Sequence, residues 1–259
     1  MLLENKIAVI YGAGGSIGGS VARAFGREGA TVFLAGRTRA HLQKVAKEIA
    51  ASGGVAETAE VDAFDEKAVE QHAKTVMEKS GRIDVSFNAV AIDGSVQGTQ
   101  LIELSPDDVS LPVRSRVATN FLTARTAARL MLPKGAGVIL MITATPSRMA
   151  FPLTGSFGVE GAAIEGLCRS LASELSPHGI RVICMRSAGS PESFPDTDPS
   201  GGTLGQTREG ITALIANGTL LKRAPSLVEV GNVVAIMASD YASPMTATVA
   251  NMTCGAIVD

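Results

Sequence analysis

The stretch Tyr11-Gly12-Ala13-Gly14-Gly15-Ser16-Ile17-Gly18 decides how this chain is read, because an apolar run from Lys6 to Tyr11 enters it and a helical pattern from Ser16 to Glu28 leaves it. Glycines between a strand and a helix permit a tight turn and close backbone approach to a ligand, and the helix N-terminus stabilises negative charge. Gly12, Gly14, Gly15 and Gly18, with Ser16 and Ile17 opening the helix, are therefore expected to cradle a pyrophosphate.

Outward from this loop, short β-type runs alternate with longer helical patterns. Strands are expected at Thr31 to Ala35, Val55 to Val61, Ile83 to Phe87, Gly137 to Thr143, Ile180 to Met185 and Thr248 to Met252. Helices are expected at Arg39 to Ser52, Glu66 to Lys79, within Pro106 to Leu132, and at Phe157 to Ser176. Strands separated by helices of about ten or more residues force right-handed parallel crossovers. The runs are apolar rather than alternating, as strands covered on both sides should be. The expectation is a single-domain α/β protein over residues 1–259, a Rossmann-like doubly wound parallel sheet with helices on both faces. The one compositional break, Ser187 to Gly218, is rich in Ser, Pro, Gly, Thr and Asp, with a short helix expected at Arg208 to Ala216. A loop of that length on the ligand side is expected to be a substrate lid.

Composition narrows the class. The 259 residues are 46% hydrophobic and 19% charged with net charge −2, which excludes disorder and gives no reason to expect nucleic-acid or membrane binding. The apolar segment from Ile7 to Ile10 is too short for a signal or a span, so a cytoplasmic protein is expected. Cys168, Cys184 and Cys254 have neither disulfide nor zinc spacing, and His41, His72 and His178 read as solvated surface histidines without metal-ligand spacing. Aromatic residues are only 4%, with no Trp, so the core must rest on aliphatic side chains and close glycine contacts.

The ends of the next strands refine the ligand. After Leu34-Ala35-Gly36 stands Arg37, followed by Arg39, where an acid would bond a ribose 2′-hydroxyl; an arginine suits a 2′-phosphate, so NADP is expected over NAD. Asp62-Ala63 follows the third strand, placing a carboxylate for the adenine amino group, and Asn88-Ala89 follows the fourth, steadying the backbone under the adenosine ribose.

With these residues in place, the chain resembles the short-chain dehydrogenase/reductase family over almost its full length. The glycine loop, Val61-Asp62, Asn88-Ala89, Asn120, the run from Leu171 to Val182, Lys222-Arg223 and Ala238-Ser239-Asp240 carry the resemblance in order and spacing. It implies a nicotinamide cofactor, a small-molecule substrate, and homodimers or homotetramers built on the long helices. It also implies a tyrosine that exchanges a proton with the substrate oxygen, a lysine one turn later that lowers its pKa, a polarising serine and a supporting asparagine.

Here Phe157 stands at the tyrosine position, Gly161 at the lysine position and Ala144, thirteen positions before Phe157, at the serine position; Asn120 alone remains. A positioned acid is worth roughly two to four powers of ten in rate, so ordinary carbonyl reduction is expected to be slow. Two readings stand. In one, the protein is an NADP(H)-dependent oxidoreductase acting on an enoyl or dienoyl thioester, with water or another side chain as proton source. Ile142-Thr143-Ala144-Thr145 resembles the corresponding strand of 2,4-dienoyl-CoA reductases, and Thr143 and Thr145, with Ser156 and Ser187, are the replacement donors. In the other, it is a redox-inactive NADP-binding descendant, a sensor, partner subunit or non-redox catalyst. Glu160, beside the vacated lysine position, reads either as a base or as a solvated carboxylate.

Overall fold

The chain leaves the glycine loop from β1 (Ile7–Tyr11) into α1 (Ser16–Arg27) and continues through β2 (Thr31–Gly36), α2 (Arg39–Ala51), β3 (Val55–Glu60), α3 (Glu66–Ser80) and β4 (Val85–Asn88). Then come α4 (Pro106–Met131), β5 (Gly137–Ala144), α5 (Phe157–Leu175), β6 (Ile180–Ser187), α6 (Arg208–Asn217), α7 (Leu227–Ala238) and β7 (Thr248–Met252). This is a computed structural model, and it describes residues 1–91, 96–194 and 207–258.

All described strand pairs are parallel, in the order β3-β2-β1-β4-β5-β6-β7. The order reverses between β1 and β4, which opens a crevice at the carboxyl ends of the strands there. Alternation along each strand supplies two apolar layers. Ile10, Leu34, Phe87, Leu140 and Met185 face α1 and α7, while Val9, Phe33, Met141 and Cys184 face α3, α4 and α5.

Three expectations change. The edge strand β3 is not an apolar run: Val55 and Glu57 to Glu60 are exposed or half-buried, because only one neighbouring strand covers an edge. His72 is not a surface residue. It lies buried on the inner face of α3, its ring edge-on to Tyr11 with centroids 5.9 Å apart, and burial lowers its pKa to about 4. The helix α7, absent from the sequence expectation, opens with a reciprocal cap between Ser226 and Glu229. Of the expected lid, Ser187 ends β6 and Arg208–Asn217 forms α6, while residues 195–206 lie outside the described residues. No helix among the described residues is long and apolar enough to cross a membrane.

Candidate functional site

The glycine loop is built for close approach. Gly12 has φ +75°, a region that side-chain-bearing residues rarely adopt, and a Cβ there would stand 2.5 Å from the Ala89 carbonyl oxygen. A Cβ on Gly18 would strike the Gly12 carbonyl, and one on Gly14 would stand 2.8 Å from His41 Cβ. Unlike α3, α4 and α7, α1 has no side chain capping its first turn, and Gly15 and Ser16 are exposed. Ile17 is half-buried and packs on the core, holding the turn in place.

Above the loop lies a cavity of about 180 Å³ between the ends of β1, β2, β3 and β4, with Gly12, Gly14, Gly15, Arg37, Asp62 and Ala89 among its walls. Ala63 is buried beside it, and Asp62 points one oxygen at the Phe64 N–H at 3.0 Å. Asn88 reaches the protein itself: its amide donates to Thr119 O at 3.1 Å and Thr123 Oγ1 at 3.0 Å, while its oxygen accepts from Val90 N at 3.0 Å. It thereby locks the β4 exit to α4. The glycine cradle, whose tight turn leaves no room for a Cβ at Gly12 or Gly18, and the cavity running to Arg37 fit a dinucleotide. Tyr11 forms the floor with its phenol pushed above the ordinary value by burial, so it stays protonated.

At the other half of the crevice the start of α5 packs closely on the chain that follows β5. β5 ends at Ala144 and the chain turns through a 3₁₀ segment, Thr145–Ser147, which lies directly on α5. A Cβ on Gly158 would stand 2.7 Å from Pro146 O, and one on Gly161 would stand 2.7 Å from Ser147 Cβ. Ser147 donates to Glu165 Oε1 at 2.5 Å, and Arg186 donates to both Glu165 oxygens at 2.9 and 2.7 Å. Arg186 and Glu165 side chains are only 4% and 7% exposed, so this is a buried ion pair. Burial pushes the Glu165 carboxyl up, but the bonds from Arg186 and Ser147, the Arg186 charge and the Thr143 bond outweigh it and hold it below its ordinary value.

Thr143 Oγ1 donates to the same carboxylate at 3.1 Å. Strand alternation aims it toward α5, on the face opposite Ala144. Thr145 is buried, and Ser187 Oγ accepts a long 3.4 Å bond from Gly189 N. Phe157 starts α5 with a half-buried ring. Glu160 is not solvated: it is 2% exposed and accepts from Ser156 Oγ at 2.8 Å, because the first turn of α5 carries it inward. Its charge acts on Arg116, whose guanidinium donates to Val90 O at 3.4 Å and Ile142 O at 3.2 Å, bridging the ends of β4 and β5. Burial lowers the Arg116 pKa and the Glu160 charge opposes that shift. Asn120, one turn after Arg116, donates to Arg116 O at 2.9 Å, and its own Oδ1 is buried without a protein partner.

Comparison with known proteins agrees with this architecture. A family described as enoyl-(acyl carrier protein) reductase matches residues 12–256. The chain belongs to the short-chain dehydrogenase/reductase family. Among relatives of this dehydrogenase/reductase chain, short chain aldehyde dehydrogenase 1 of Euphorbia lathyris is 29% identical over 247 residues, covering 93% of this chain and 84% of the relative. Oxidoreductase UcpA of Escherichia coli O157:H7 is 29% identical over 256 residues, covering 95% and 92%. A crystal structure of an NAD⁺-bound xylitol dehydrogenase shares the fold at TM-score 0.84 and 21% identity, covering 97% of this chain and 98% of that one.

Within this short-chain dehydrogenase/reductase frame, three charged groups went unread in the sequence. Arg116 lies four residues before Asn120, the spacing that puts both on one helix face. Glu165 interrupts the inner face of α5, and Arg186 interrupts the apolar run of β6. A charge inside an apolar period was the available signal for each.

Proposed function

We propose that this family member is an NADP(H)-binding oxidoreductase whose site is unsuited to ordinary ketone reduction and acts instead on a conjugated enoyl or dienoyl compound. The observation that carries this reading is the contact of Gly158 and Gly161 with the Thr145–Ser147 turn. It leaves no path for a lysine side chain at 161, while the nucleotide cradle stays open.

Bound NADPH would supply hydride. The 2′-phosphate falls to Arg37, the pyrophosphate to the N–H groups of the loop and the start of α1, and the adenine amino group to Asp62. Reduction of a conjugated double bond leaves an enolate whose carbon takes its proton from water, so no phenol is required. Such an anion needs a fixed positive charge, and Arg116 at the ends of β4 and β5 is the cation placed to supply it. Thr145 and Ser187 are the remaining hydroxyl candidates, since Thr143 is committed to Glu165 and Ser156 to Glu160. Residues 187–218 serve as a substrate lid, and copies associate through the long helices in the cytoplasm.

The packed turn also favours a second reading, a redox-inactive NADP(H)-binding protein. One experiment separates them: titrate NADPH by cofactor fluorescence, then follow its oxidation with small ketones and with crotonyl-type thioesters. Binding with thioester turnover and negligible ketone turnover supports the first reading. Binding without any turnover supports the second, and brisk ketone reduction overturns both.

A further inference from the structure

We propose that the groove between Gln100-Leu101 and Phe151–Thr154 is an acyl-chain site, so that the protein takes enoyl thioesters with long apolar chains in preference to short ones. This rests on the enoyl reading above and adds to it a chain-length class and the residues that read it.

The groove has a volume of about 480 Å³ and is walled by Gln100, Leu101, Phe151, Pro152, Leu153 and Thr154. Its two banks belong to the segments that follow β4 and β5, and backbone holds them together. The Gly98 N–H donates to Leu153 O at 2.8 Å, and a Cβ on Gly155 would strike Val96 O. Joined at this seam, the banks leave apolar side chains uncovered: Leu101 is 59% and Phe151 39% exposed. Leu153 adds a second, independent sign. Its φ is +61°, a region that strains a bulky side chain and that glycine would enter freely. Strain of that kind collects at ligand clamps, and what leucine supplies here is an aliphatic wall.

Position decides the occupant. Thr154 stands three residues before Phe157, and Leu101 opens the short turn that leads into α4, the helix of Arg116 and Asn120. Both banks spring from the carboxyl ends of β4 and β5, the ends that Arg116 bridges. A substrate whose carbonyl lies at Arg116 therefore finds this groove as the apolar surface next along both loops. A second copy of the chain is the poorer occupant, because a stable interface takes about 20–30 residues a side and this hollow offers six. A concave, mostly apolar hollow with one polar residue on each bank suits a slender chain.

The test titrates butanoyl- and decanoyl-coenzyme A, which are saturated and cannot be reduced, into the NADPH complex by calorimetry. The proteins compared are the parent and the double variant Leu101→Ser with Phe151→Ser, whose sites are exposed. The parent should bind the decanoyl thioester at least about tenfold more tightly than the butanoyl one, since each buried methylene favours binding. The double variant should lose that advantage while keeping parental affinity for NADPH and for the butanoyl thioester, which also shows that it folds. Equal binding of the two thioesters by the parent, or an advantage that survives the double variant, overturns the groove assignment. The enoyl reading is then judged separately by crotonyl thioester turnover. A chain-length advantage lost in the variant, with no turnover of crotonyl or 2-decenoyl thioester, upholds the acyl site and removes the enoyl reading. If the decanoyl thioester does not bind and the double variant shifts the sedimentation coefficient, the groove is covered by a second copy and the proposal falls.

Discussion

The two halves of the crevice use glycine for opposite ends. At the nucleotide half, Gly12 and Gly18 let backbone meet backbone inside the loop, and the space gained lies outside it, as a cavity of about 180 Å³. At the half that would hold the reacting groups, Gly158 and Gly161 let the Thr145–Ser147 turn settle on α5, and the turn takes the space beside those two glycines. That contact is then tied from behind by Ser147, Glu165, Arg186 and Thr143. A missing side chain thus leaves a ligand site only where the neighbouring backbone is held back.

The largest test of this contrast breaks the tie. Arg186→Met strands a buried carboxylate and should cost about 3–5 kcal/mol in urea denaturation, whereas Glu165→Leu with Arg186→Met should recover most of it. If the single substitution is near neutral, the turn on α5 is not held by this pair.

The floor of the open half carries the next effect. Burial holds the folded pKa of His72 at about 4, against about 6.5 for a solvent-exposed imidazole, so the unfolded chain binds the proton first. Stability is full above 6.5, falls as pH drops through the window, and has lost about 3 kcal/mol below 4. His72→Phe should keep the edge contact with Tyr11 and flatten that slope. A parental slope in the variant would place the titration elsewhere.

The smallest effects form a matched pair. Gly161→Ala should lower stability by about 1–3 kcal/mol through overpacking on Ser147, with NADPH affinity unchanged. Gly15 has no such neighbour, since a Cβ there meets only Gly12 O at 3.4 Å. Gly15→Ala should therefore keep stability and weaken NADPH about tenfold, because the methyl holds the pyrophosphate off the loop's N–H groups at roughly the cost of one hydrogen bond. A stability loss confined to Gly161→Ala and an affinity loss confined to Gly15→Ala sharpen the contrast; equal behaviour removes it. The same contact bears on rebuilding the site. Restoring Ser, Tyr and Lys at Ala144, Phe157 and Gly161 should fail unless Ser147→Gly accompanies them.

Much of the molecule was legible locally. A strand, a glycine run and a helix in succession read correctly because each is set by near neighbours, and all seven strands lie within two residues of their expected bounds. α7 escaped although Ser226 and Glu229 spell its cap, because its apolar run lacks a polar face. His72 read as solvated, and Glu160 as either a base or a solvated carboxylate, because their burial depends on what other elements bring against them, with Arg116 of α4 facing Glu160 and Tyr11 of β1 facing His72.

The sequence by itself determined the order of the strands, the glycine cradle and the presence of Ala144, Phe157 and Gly161 where the family resemblance leads one to expect Ser, Tyr and Lys, since these follow from residue identity and spacing along one chain. Only the tertiary structure decided what stands beside Gly161. Whether a space stays open depends on how residues 145–147 and 157–161, joined by a loop, meet across the crevice, and on the Glu165–Arg186 pair that joins α5 to β6. No periodicity along the chain encodes such a distance; it is set by the packing of backbones onto one another.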